Sequence, residues 1–169
     1  MTPNRFADKV AIVTGGSMGI GRATALQLAR EGAHVIACAR RKPRLEALEA
    51  EIREFGGSFD GVALDVADID AFASLIATTA REHGRLDVLV NNAPSVIGGM
   101  VLDQNIEDWR ANFGVSVESV FIGVQAAMKV MQPQGYGSII NVSSVSSLRA
   151  GQAAGAYSAA KAAVNQFTM

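Results

Sequence analysis

Tyr157-Ser158-Ala159-Ala160-Lys161 puts a phenol and an ammonium four residues apart. On a helix, side chains at i and i+4 share a face, so these two groups would meet. A neighbouring ammonium favours phenolate and draws a tyrosine down from its reference pKa of about 10, toward the range where it can exchange protons with a substrate. Ser144 precedes Tyr157 by thirteen residues, at the mouth of a predicted strand, where its hydroxyl could hydrogen-bond a substrate oxygen. Taken alone, Tyr-x-x-x-Lys is common, and an ordinary exposed helix pair is its simpler reading.

A second stretch is suited to holding a ligand. Thr14-Gly15-Gly16-Ser17-Met18-Gly19-Ile20-Gly21 follows the apolar run Val10 to Val13 and precedes the Ala/Leu-rich run Arg22 to Arg30. The first run reads as a strand buried on both faces, the second as a helix. Glycines at 15, 19 and 21 let the backbone turn sharply, approach a ligand closely and pack the helix on the strand. The free N–H groups and positive dipole end of that helix make an anion site suited to a pyrophosphate. A βα turn with no ligand has the same local composition. The strand before, the helix after and a second strand at His34 to Ala39 are the context a dinucleotide site requires.

The elements that must position these groups alternate along the chain. Helices are predicted at Gly21 to Glu31, Arg41 to Phe55 and Ile69 to His83, and strands at Val10 to Val13, His34 to Ala39, Phe59 to Leu64 and Leu86 to Val90. A long helix from about Ile106 to Met131 carries Trp109, Phe113 and Phe121, simplest as core or subunit-interface aromatics. Gln132 to Ser138 reads as a Pro/Gly turn, Ile139 to Val142 as strand five, and a final helix starts near Ala156. This order implies a doubly wound α/β domain with a parallel sheet, in which ligands lie beyond the carboxyl ends of the strands. The residues in that position are Thr14 to Gly21, Ala39 to Lys42, Asp65 and Val66, Asn91 to Ser95, and Ser143 and Ser144.

With 169 residues and 49% hydrophobic content, the chain is sized for one globular domain. A formal net charge of −1 gives no field to recruit nucleic acid or an anionic membrane. Cys38 is the only cysteine, and with His34 and His83 it makes no metal-ligand spacing, so no metal is expected. No run reaches the length of a membrane span and the start is polar, which makes a cytoplasmic location the default.

Together these motifs resemble the short-chain dehydrogenase/reductase family, whose pattern is T-G-x-x-x-G-x-G, N-N-A-G, a strand-end serine and Y-x-x-x-K. Here they are Thr14 to Gly21, Asn91-Asn92-Ala93-Pro94, Ser144, and Tyr157 to Lys161. The resemblance implies hydride transfer between a nicotinamide cofactor and a small-molecule carbonyl or alcohol. Tyr157 would exchange the substrate proton, Ser144 would position the substrate oxygen, and Lys161 would hold the nicotinamide ribose hydroxyls. Gly15, Ser17, Met18, Gly19, Ile20 and Gly21 would cradle the cofactor, Asp65 and Val66 would meet the adenine, and Asn92 and Ala93 would line the adenosine side. At the end of strand two, where a carboxylate would read the ribose of NAD, stand Ala39, Arg40 and Arg41. Two guanidiniums without a carboxylate favour the 2′-phosphate of NADP, with NAD as the alternative. The same charges, with Lys42 and Arg44, also describe a solvated helix start.

Three departures from the family pattern stand out. Ser116 falls where the family carries an asparagine that keeps a relay water near the lysine, with Asn112 one turn earlier. Pro94 replaces a glycine, fixing φ and removing an N–H. Set against the family pattern, the sixth and seventh strands and most of a substrate pocket are expected to be missing, as in a C-terminally truncated fragment or a natural short form. The expected assembly is a homo-oligomer through the helices beginning near Ile106 and Ala156. The competing functional reading is a dinucleotide-binding fragment or assembly module without turnover. A sugar-nucleotide epimerase fits less well, because Gly19 and Gly21 are two apart rather than three.

Overall fold

Apolar runs without polar alternation become the interior of the sheet. In the computed structural model, which describes residues 4–169, β1 (Val10–Thr14), β2 (His34–Ala39) and β4 (Val88–Asn91) are buried along almost their whole length. β3 (Ser58–Ala63) and β5 (Ser138–Asn141) are more exposed and form the edges. The strand order is β3-β2-β1-β4-β5, and every neighbouring pair is parallel. This is the doubly wound sheet expected from the alternation of elements. Because the chain leaves β1 toward β2 on one side and returns to β4 on the other, a crevice opens beyond β1 and β4, where such sheets bind ligands.

Helices cover both faces. On one side lie α1 (Gly19–Arg30) and α2 (Lys42–Glu54), whose Leu45, Leu48 and Ile52 are fully buried against Val35, Ala37 and Phe59. Each of those three side chains contributes about 1.5–3 kcal/mol by leaving water. On the other side α3 (Ile69–His83) sends Phe72 and Ile76 against Ile12, Ile36 and Leu89. The ends of α3 agree with the sequence reading because both are signalled. The Asp68 side chain accepts from Ala71 N at 3.0 Å, and Gly84 ends the helix at φ +69°.

The long helix departs from the expected form. It divides into α4 (Ile106–Phe113), a π-type segment at Gly114–Glu118 and α5 (Ser119–Gln134), which continues through Pro133 beyond the predicted stop. Proline is accepted in this last turn, and the end is set by Gly135 at φ +80°. The Gln134 side chain bonds the N–H and C=O of Leu86, which precedes β4 instead of joining it. Within the 29-residue Ile106–Gln134 rod an 18-residue window has a mean hydropathy of 1.3, long and apolar enough to cross a membrane by length and composition alone. Its buried residues Val120, Ala127 and Met131 pack within the domain, the latter two alongside Phe72 and Ile76 of α3. Trp109 and Phe121 are 40% and 47% exposed, so they are surface aromatics and not core. After β5, a 3₁₀ turn at Val145–Ser147 leads to α6 (Gly155–Thr168), which packs on α4 and the π segment.

Candidate active site

At the mouth of the crevice the Thr14 hydroxyl ties β1 to the loop after β4. It accepts from Asn92 N at 2.9 Å and Ala93 N at 3.0 Å, and donates to Val90 O at 3.4 Å, while Asn92 Nδ2 donates to Thr14 O at 2.9 Å. The turn that follows needs its glycines. Gly15 and Gly19 have φ of +65° and +56°. A Cβ on Gly21 would stand 2.4 Å from Asn92 Nδ2 and 2.5 Å from Gly15 O. Helix α1 begins with no side-chain cap at Met18 and no acid in its first turn, so its leading N–H groups and dipole remain for an anion.

The crevice is a cleft of about 640 Å³. Of the residues assigned to the cofactor from sequence, Gly15, Ser17, Met18, Gly19, Ile20, Arg40, Arg41, Asp65, Val66, Asn92 and Ala93 all line it, whereas Tyr157 and Lys161 on α6 are not among its lining residues. Gly21 lies beneath, buried at the helix–turn contact. At the outer end, Arg40 is 3.8 Å from Asp65 in an exposed pair, and the Arg41 and Arg44 guanidiniums lie 3.5 and 3.4 Å from Met18 Sδ. Arg44, read from sequence only as part of a charge run, thus reaches the same corner. A cradle of positive-φ glycines, an uncapped helix start and guanidiniums at one end suit a dinucleotide phosphate.

Beyond β5 the structure distinguishes the neighbouring serines. Ser143 is committed, its Oγ donating to Lys161 O at 3.2 Å. Ser144 Oγ accepts from Ser146 N at 3.1 Å and keeps its own O–H to donate. Ser147 bonds the Ser144 carbonyl and accepts from Asn165 Nδ2 at 2.7 Å, stapling this turn to α6. On α6, Tyr157 is half-buried and Lys161 is 3% exposed. Lys161 Nζ donates to Val142 O at 2.7 Å, and burial pulls its pKa below the usual lysine value. One N–H is used there; the ammonium's other donors remain for a ligand.

Ser116 sits fully buried in the π segment, its Oγ accepting from Ser95 N at 3.4 Å. Asn112 accepts from Ile97 N at 3.1 Å and donates to Ile97 O and Asp108 O, both at 3.0 Å. Both side chains therefore anchor the loop that follows β4, and Asn112 is fully engaged with backbone. That loop also meets the approach to α6, where Gly99 N donates to Ala153 O at 2.8 Å. Ala153 is held at φ +56°, a left-handed conformation that alanine rarely adopts, directly before the helix carrying Tyr157.

A model of the family described as short chain dehydrogenase matches residues 9–169. The chain belongs to that family. This short-chain dehydrogenase family member is 40% identical over 166 residues to a 3beta-hydroxysteroid dehydrogenase of Mediterraneibacter gnavus, covering 97% of this chain and 59% of the relative. It is 41% identical over 161 residues to a 3-oxoacyl-(acyl-carrier-protein) reductase of Synechocystis sp., covering 95% and 65%. Among solved structures, a metagenomic short-chain oxidoreductase in complex with NADP superposes with a TM-score of 0.92 at 35% identity, over 96% of this chain and 74% of that one. An NAD+-bound xylitol dehydrogenase superposes with a TM-score of 0.91 at 31% identity, over 97% and 64%. The chain spans about three fifths to two thirds of the length of the two curated relatives.

The sequence puts Thr14 near the ligand but carries no direct sign of its anchoring role. A threonine closing a buried strand, just before the glycine turn, was the available signal. The Asn112 clamp had no local signal, because its partner Ile97 is fifteen residues away in a loop.

Proposed function

We propose that this chain carries the cofactor site and reactive groups of an NADP(H)-dependent oxidoreductase that interconverts a small-molecule alcohol and its carbonyl compound. The observation that carries the reading is one of placement. The glycine turn, the arginine corner and the end of β5 with its buried lysine all belong to the carboxyl ends of one parallel sheet, on either side of the β1/β4 reversal. When bound, the nicotinamide cofactor supplies the hydride acceptor or donor.

The protein's own groups do the rest. Gly15 to Gly21 and the start of α1 bind the pyrophosphate, while Asp65, Val66, Asn92 and Ala93 border the adenosine. Arg40 and Arg41 offer guanidiniums to a 2′-phosphate, and Arg44 adds a third positive group beside Met18. Ser144 donates its O–H to the substrate oxygen. Tyr157 gives that oxygen a proton in reduction and takes it back in oxidation. Lys161, anchored on Val142, holds ribose hydroxyls with its remaining donors. Val96 and Ile97, in the loop after β4, line the cleft with apolar side chains, which suits a hydrophobic substrate. The names of the hydroxysteroid and oxoacyl relatives are consistent with this reaction class.

A homo-oligomer through α5 and α6 is supported by an apolar groove between them, lined by Val117, Val120, Phe121, Val164 and Phe167. A cytoplasmic location suits the single buried thiol of Cys38.

The test is a fluorescence titration of the chain with NADPH and NADH, followed by NADPH oxidation with a panel of ketones. NADPH should bind at least about tenfold more tightly than NADH, and the preference should collapse in Arg40→Ala/Arg41→Ala. Turnover should disappear in Tyr157→Phe while NADPH binding persists. Equal affinities would overturn the NADP assignment. Binding without turnover on any substrate would leave a dinucleotide-binding module, and no binding of either cofactor would remove the reading altogether.

A further inference from the structure

At the opposite end of the sheet from the cleft, three potential metal ligands converge from three elements. His34 opens β2, Asp60 lies on the neighbouring edge strand β3, and His83 closes α3. The parallel register pairs His34 with Ser58 and Ile36 with Asp60, so His34, Ser58 and Asp60 project to one face of the sheet. That face is the one α3 covers. The two imidazole rings lie 4.4 Å apart between centroids, His34 Nε2 is 2.7 Å from Asp60 Oδ2, and one ligand atom from each residue falls within 4.8 Å of the others. The other nitrogen of His34, Nδ1, is hydrogen-bonded to Ser58 Oγ.

We infer that His34, Asp60 and His83 form a binding site for a borderline-soft divalent transition metal of the Zn2+ class. Two imidazoles and one carboxylate make a donor set that zinc accepts, with water completing the coordination. Calcium and magnesium suit it poorly, since they favour oxygen donors and this cluster offers one carboxylate. The Ser58 contact is of the kind that metal-bound histidines use on their second nitrogen, where it fixes ring orientation and tautomer. Sequence spacing groups His34 with neither partner. The fold unites them, and the third donor is the carboxylate of Asp60 in place of the remote, buried Cys38.

The site is separate from the dinucleotide cleft. Cys38, the first residue of β2 to line the cleft, is about 13 Å farther along the strand at roughly 3.3 Å per residue. A metal here would clip the edge strand β3 and the end of α3 to β2. It would stabilise the fold by mass action without touching the reacting groups.

The experiment is a calorimetric titration of the tag-free chain with ZnCl2 in a non-coordinating buffer, with Co2+ absorption as a probe of histidine ligation. One equivalent of Zn2+ should bind saturably and raise the melting temperature. His83→Gln and Asp60→Asn, both checked for native circular dichroism, should each weaken binding by at least about tenfold. Ser58→Ala should weaken it by about 10–100-fold through the outer contact. NADPH affinity should be the same with and without Zn2+. Absence of saturable binding would overturn the assignment, as would equal affinity in folded His83→Gln and Asp60→Asn chains.

Discussion

Thr14→Val is the sharpest probe of how the cleft is held open. Valine keeps the shape of threonine and its β-branching, so the strand and its packing persist, but the hydroxyl is lost. Two backbone N–H groups then lose their acceptor: that of Asn92, which is buried, and that of Ala93, which is partly so. An unsatisfied buried donor costs about 1–3 kcal/mol, and the partly buried one recovers some of this from water, giving a total of about 2–4 kcal/mol. With a urea slope of about 2 kcal/mol/M, the unfolding midpoint should fall by about 1–2 M. Thr14→Ser keeps the acceptor and should fall by less than half as much. Urea titrations of the three chains, followed by circular dichroism, measure this directly. A Thr14→Val midpoint within about 0.25 M of the parent would refute the reasoning, because at that slope the two N–H groups would have lost only about 0.5 kcal/mol.

Other consequences are equally open to measurement. Hydrogen bonds from Arg5 and Gln27 hold the Glu31 carboxyl down at about 2. Because the folded value is depressed, its stabilisation is complete above the unfolded value of about 4.3 and is lost as pH falls toward 2. The parent's melting temperature should therefore drop across that window more steeply than that of Glu31→Gln. Gly21→Ala should cost about 1–3 kcal/mol and abolish dinucleotide binding, since its Cβ would collide with Asn92 and Gly15. Gly19→Ala meets no atom within 4 Å and should cost only the left-handed strain of about 1–2 kcal/mol. If urea midpoints rank these two in the reverse order, close approach is not what selects glycine at position 21. Burial pushes the Cys38 thiol up to about 12, so a disulfide reagent at neutral pH should label it only as the chain opens. Rapid labelling of the native chain would contradict that burial.

Much of the frame could be read from the sequence because its signals are local. The strands β1 and β2 are continuous apolar runs, and α3 has a cap at one end and a left-handed glycine at the other. The glycine turn identified the cleft for the same reason. The long helix was read less well. Apolar spacing continues across Gly114 to Glu118, so nothing in the periodicity marks a widened turn, and Pro133 looked like a stop although Gly135 is the one that acts. The polar residues that fix the site were the hardest to place. Asn112, Ser116 and Lys161 are buried because they bond the backbone of Ile97, Ser95 and Val142, segments that approach them only after the sheet has assembled. The grouping of His34, Asp60 and His83 is hidden on the same ground, since parallel register and not spacing brings Asp60 to His34.

The central place of β1 has a consequence for how this chain acquires its binding capacity. Thr14 and Asn92 are 78 residues apart in the chain, and until β4 docks beside β1 the glycine turn has no wall opposite it. The units β1-α1-β2 and β2-α2-β3 contain mostly short-range contacts and are free to form early, whereas the β1/β4 pairing must first meet the entropy of closing a long loop. Dinucleotide affinity should thus arise late and all at once during refolding, making ligand capture a reporter of the final, rate-limiting registration of the sheet.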